Sequence, residues 1–229
     1  MSISLLTVAL IGLGIGGLWG LIECMHQNRQ LGATQTKPPC IKEEVLSEQD
    51  REMARQTAEV IKGRLSEDPT QKMLEMSSNE RIEAVESIAQ ELIELYGLDD
   101  VRVEICTIPG TVVGYYNREA KVLKVDVADL LIDVESLVPE KRMEAFRYIV
   151  KETLDTVVHE LRHAVQYRAI ELDDDSYWGI DEARRIEWAR NMANYIRGCD
   201  DPKGYYTQAI ECDSYTFAYE ALRGVFHYE

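Results

Sequence analysis

His159-Glu160-Leu161-Arg162-His163 is the stretch of this chain whose residue types and spacing define a chemistry. Its context, VVHELRHAVQ, is apolar on one side and reads as helix. Side chains four apart on a helix share a face, so His159 and His163 can offer two imidazoles to one ion. Zinc binds neutral imidazole well, and a catalytic zinc takes three protein ligands plus a water. Glu160 would project beside the pair, where a carboxylate can take a proton from that water. The pattern points to metal-assisted hydrolysis.

The third ligand is less direct. Only His227 follows His163 among the histidines, close to the end of the chain. The extended pattern HExxHxxGxxH fails, because Gln166 and Ala169 stand at its Gly and His positions. A carboxylate is therefore required, and two are candidates. Glu182 follows His163 with eighteen residues between, the spacing of aminopeptidase-type gluzincins. Asp181-Glu182 also suits the start of a helix, where acidic residues favour the dipole. Glu211 opens IECDSYTFAYEAL, a helical pattern with Ser214, Phe217 and Ala218 facing a core. Asp155, four residues before His159, or Asp213 could orient an imidazole from behind. Tyr167, Tyr205, Tyr206 and Tyr215 could help hold a tetrahedral oxyanion. Arg162 is expected on the outer face of the helix, and Cys212, beside Glu211, is expected to pack.

Residues 140–223 resemble small zincin-fold metallopeptidases of the ImmA/IrrE-like type, a group that includes uncharacterised bacterial and phage proteins. The resemblance rests on HELRHAVQY, on Trp188, Asn191 and Asn194-Tyr195-Ile196, and on YYTQAIECDSYTFA. It covers about a third of the chain, and Ser214 stands where the family usually has Ala. The resemblance implies an α+β fold, a mostly helical zincin-like domain with a small β-sheet. It implies that Glu211 completes a zinc site with His159 and His163, and that the activity is cleavage of a protein or peptide partner, with Glu160 as general base.

Periodicity predicts the helices and strands around these residues. Ser47 with Asp50 reads as a capping box opening a helix to about Leu65. Asn79–Tyr96 carries a helical apolar stripe, with Gly97 as its stop. Val101–Ile108 alternates as a half-buried strand. Val112–Tyr116 and Lys121–Val127 form a hairpin around Asn117–Glu119. Pro139 begins a long helical pattern to about Ile170, with a break expected near its middle. Asp173–Ser176 is an acidic loop. Asp181–Ile196 and Thr207–Arg223 are the last helices.

The chain has 229 residues and a net charge of −16, with 45% hydrophobic and 29% charged residues. That describes one folding domain with a short appendage. An isoelectric point near 4.7 and no Lys/Arg block argue against nucleic-acid binding. Five cysteines with no CxxC pair suit a reducing compartment better than a disulfide scaffold.

Ile3 to Ile22 carries no charge, and twenty helical residues span about 30 Å, a bilayer core. No basic leader or small-residue cleavage site marks it as a signal peptide. The expected organisation is a transmembrane anchor over 1–23, a linker over 24–46 holding Pro38 and Pro39, and the zincin-like domain over 47–229. Arg29, Lys37 and Lys42 follow the span, which places the domain in the cytoplasm by the positive-inside rule. Gly12, Gly14 and Gly17 spell GxGxxG but lack the βαβ continuation of a dinucleotide site. Gly12, Gly16 and Gly20 would let two membrane helices approach closely as a homodimer. The expected function is a membrane-anchored zinc metallopeptidase. The alternative is a catalytically silent zinc-binding or scaffold protein at the membrane.

Overall fold

The computed structural model describes residue 41 and residues 46–226, apart from 109–112, 175 and 199. The anchor, most of the linker, the homodimer motif and His227 lie outside the described residues. Among the described residues no helix is long and apolar enough to cross a membrane.

Seven helices and three strands make up the described part of the domain. In chain order these are α1 (Glu48–Leu65), α2 (Pro69–Leu74), α3 (Ser78–Leu95), β1 (Arg102–Cys106), β2 (Gly114–Asn117), β3 (Val122–Asp126), α4 (Arg142–Leu172), α5 (Glu182–Ala193), α6 (Pro202–Thr207) and α7 (Ala209–Arg223). The α+β class is as the patterning implies, mostly helical with one small sheet.

Local signals set the helix ends. The Ser47 hydroxyl accepts from the Asp50 amide at 3.1 Å, and the Asp50 carboxylate accepts from the Ser47 amide at 2.8 Å, closing the expected box. Gly97 adopts φ +67° after α3, with the Leu98 N–H donating back to the Ile93 carbonyl at 3.0 Å. Two further short helices, α2 and α6, each carry a local signature. Asp68-Pro69 and Asp201-Pro202 each place an Asp cap before a proline in the first turn, and the caps accept from the Gln71 and Gly204 amides.

The hairpin is real and β3 is the central strand, in the order β1-β3-β2. β2 runs antiparallel to β3 with Gly114 opposite Val125 and Tyr116 opposite Leu123. β1 pairs parallel to β3, with Val103 opposite Leu123. This sheet packs against α4.

The break expected inside the long helix is absent. A 3-10 turn at Pro139–Lys141 leads into α4, which runs 31 residues without interruption. It contains no Gly or Pro, the residues that break helices. Its mid-helix threonines, Thr153 and Thr156, satisfy their hydroxyls on the carbonyls of Ile149 and Glu152. Phe146, Val150, Leu154, Val157, Leu161 and Val165 are each wholly buried, so α4 is the spine of the core. Burying such a side chain contributes about 1.5–3 kcal/mol.

Candidate metal centre

His159 and His163 stand one turn apart on α4, and the first turn of α7 brings Glu211 to them. All three are buried. The two imidazole Nε2 atoms are 3.1 Å apart. Glu211 Oε2 lies 3.3 Å from His159 Nε2, and Oε1 lies 3.4 Å from His163 Nε2. This is the one group of three or more His, Cys, Asp or Glu side chains among the described residues arranged to hold a metal ion.

The spacing tests the fit. An ion held tetrahedrally at about 2.0–2.1 Å separates its ligand atoms by roughly 3.3–3.4 Å. The His159–His163 and His159–Glu211 Oε2 contacts, at 3.1 and 3.3 Å, fall at or close to that edge length, and the 3.4 Å contact to His163 is made by the other Glu211 oxygen, Oε1. Calcium, with six to eight oxygens at about 2.3–2.6 Å, does not suit two imidazoles and one carboxylate. The buried Glu211 Oε2 and His159 Nδ1 have no hydrogen-bond partner among the described residues. Such orphans cost free energy, and an ion at the centre of the triangle would satisfy the first of them.

Electrostatics bind the triangle together without an ion. Burial opposes charge on Glu211, but the two imidazoles outweigh it and hold the carboxyl well below its usual range. Burial likewise opposes charge on His163, and the Glu211 carboxylate overcomes it, raising the imidazole to about 9.

His163 is oriented from behind. Its Nδ1 lies 2.8 Å from Gln166 Oε1 and 3.2 Å from Ser214 Oγ. Gln166 Nε2 in turn donates to the Ile210 carbonyl and to the Asp213 carboxylate. With Nδ1 donating to the amide oxygen, Nε2 is left with the lone pair a metal needs. Gln166, which rules out the longer zincin motif, is thus the residue that sets the tautomer. Asp213 acts one step removed, through Gln166. Asp155 makes no hydrogen bond to His159. Burial raises its carboxyl, and the charge of His159 offsets that only partly.

Glu160 faces the sheet. Its Oε2 accepts from the Tyr116 backbone N–H at 3.0 Å, and its Oε1 is 4.0 Å from His159 Nε2. Gly114 makes this approach possible. A Cβ there would fall 2.5 Å from Thr156 Cγ2 and 2.9 Å from the Lys124 carbonyl, so a side chain would push β2 off α4. Glycine in a strand often marks such a close approach.

The remaining candidates divide. Glu182 sits exposed in the first turn of α5, behind the Asp181 cap, and takes no part in the triangle. Of the four tyrosines, Tyr215 packs against the His159 ring, with centroids 4.3 Å apart and planes inclined by 56°. Tyr206 packs on Tyr215, and the Tyr205 hydroxyl interacts with Glu211. Tyr167, one turn beyond His163 on α4, packs against Tyr116. Tyr195, which no motif marks as a site residue, donates its hydroxyl to Glu211 Oε1 at 2.7 Å.

Arg162 is not on the outer face. It is wholly buried in a closed ring of alternating charge. Its guanidinium bonds Asp50 at 2.8 Å and Asp213 at 2.7 Å, and Arg184 bonds the same two carboxylates from the other side. Trp178, Trp188 and Phe217 pack around Arg162. A residue beside a candidate ligand need not be solvated. A helix as deeply sunk as α4 buries the face beside its ligands too.

No protein-family model, curated protein or solved structure matches the chain.

Proposed function

We propose that this chain is a zinc-dependent metallopeptidase, with His159, His163 and Glu211 as the ligands and Glu160 as the general base. The observation that carries the reading is the buried ligand triangle with Glu160 held at its edge by the Tyr116 N–H. Two imidazoles and one carboxylate form the donor set of catalytic zinc in hydrolases, whereas closed structural sites use four protein ligands, most of them thiolates. Bound there, zinc would polarise a scissile carbonyl and lower the pKa of an attacking water. Glu160 accepts the proton of that water and returns it to the leaving amine. Gln166 and Ser214 keep His163 turned inward, and the strand beside Glu160 fixes where its carboxylate points. The sequence resemblance to ImmA/IrrE-like metallopeptidases supports the same assignment.

Metal analysis of the purified chain tests it. The wild type carries close to one zinc per chain by mass spectrometry, and His163→Ala carries little or none. A wild type that takes up no zinc after reconstitution overturns the reading.

The uncharged run from Ile3 to Ile22 supports tethering of this activity to a membrane, with the domain on the cytoplasmic side. An impermeant maleimide should leave Cys40 unmodified in intact cells and modify it after permeabilisation. Labelling of Cys40 from outside reverses the topology.

A further inference from the structure

Glu211 brings two oxygens to a site with room for few donors, and the structure treats them differently. Oε1 accepts the Tyr195 hydroxyl at 2.7 Å. Oε2 is buried and accepts no hydrogen bond among the described residues. A catalytic site keeps a coordination position free. A carboxylate ligating through both oxygens would crowd it.

From this asymmetry we infer that Tyr195 restricts Glu211 to one ligating oxygen, Oε2, and so keeps a coordination position open. The inference rests on the metal reading above.

The phenol is placed by a dedicated clamp. Tyr195 follows α5, in a stretch without helix or strand. The next residue, Ile196, donates its N–H to Gln208 Oε1 at 2.7 Å and accepts Gln208 Nε2 on its carbonyl at 2.8 Å. Asn191 bonds the same Gln208 and also accepts the Ile210 N–H at 2.9 Å. Gln208 caps α7 and Glu211 lies in its first turn. The phenol and the carboxylate it touches are therefore held against one helix terminus. Asn191, Tyr195 and Gln208 belong to the segments that carry the sequence resemblance, and this clamp gives them a physical role. Tyr195 acts through Glu211, so it is a positioning residue. The Tyr205 hydroxyl also interacts with Glu211 and Tyr195, which makes Tyr205 the necessary comparison.

Cobalt(II) is the probe, because its visible bands report coordination geometry. The detergent-solubilised full chain is loaded with cobalt as wild type, Tyr195→Phe and Tyr205→Phe, with bound metal counted in each. Tyr195 is 45% exposed, and its loss leaves the fold intact, which circular dichroism checks. All three forms should bind one cobalt per chain. In Tyr195→Phe the bands should weaken and shift as the second oxygen joins the ion, and Tyr205→Phe should keep the wild-type spectrum. An unchanged spectrum in Tyr195→Phe, loss of its cobalt, or a change confined to Tyr205→Phe overturns the inference. A wild type that binds no cobalt defeats the metal reading itself, and this one with it.

Discussion

Glu160→Gln keeps its zinc and loses roughly 10²–10⁴-fold in cleavage rate, the usual contribution of a positioned general base. The amide is nearly isosteric and retains an oxygen for the Tyr116 N–H, which bonds the native carboxylate at 3.0 Å. It cannot take a proton. Glu160 lies outside the ligand triangle, with its nearer oxygen 4.0 Å from His159 Nε2, so metal content should be untouched. The measurement is cleavage of a peptide mixture read by mass spectrometry, beside zinc content for each form. Loss of zinc in Glu160→Gln would make the residue a ligand and remove it as the base. Zinc without turnover in the wild type, under conditions that fold it, favours the silent scaffold instead.

Arg162→Ala should destabilise the domain by about 3–5 kcal/mol, because it strips one partner from a buried charge network. For a domain of this size that lowers Tm by roughly 6–20 °C. Asp50 and Asp213 are wholly buried, and Arg184 alone would remain to neutralise both. The pH dependence follows from the same ring. Burial would raise the Asp50 carboxyl, but Arg162 and Arg184 overcome it and hold it far below its usual range. Asp213 is lowered by the same two guanidinium groups against burial. A depressed folded-state pKa means stability that is full above the unfolded value, about 3.9, and drains as the pH falls below it. Urea unfolding should therefore show the wild type losing stability progressively as the pH falls below about 4, with a shallower slope in Asp50→Asn. Equal slopes, or an Arg162→Ala variant as stable as the wild type, would show that the ring contributes little.

What could be read in the sequence and what could not divide along chain distance. The capping box at Ser47, the stop at Gly97, the hairpin and the HExxH face each depend on residues within a few positions of one another. Arg162 depends on Asp50 and Asp213, 112 and 51 residues away, and no local pattern announces such partners. Gly114 reads only as a strand glycine until Thr156 is seen against it. Glu211 was separated from Glu182 by helix context and by resemblance, and the structure brings Glu211 alone to the imidazoles. No local pattern marks Tyr195 among 12 tyrosines, because its position depends on a clamp closed by Asn191 and Gln208.

Both imidazoles, the proposed base and Gln166 ride on α4 within eight consecutive residues. Their mutual spacing is fixed by helix pitch, and altering it would mean breaking main-chain hydrogen bonds in the centre of the core. The opposite wall is of another kind, since Tyr195 is carried by a stretch without regular structure and held by two side-chain amides. A change in the backbone at Tyr195 would move its hydroxyl relative to Glu211 while the spacing of the two imidazoles on α4 stays as it is.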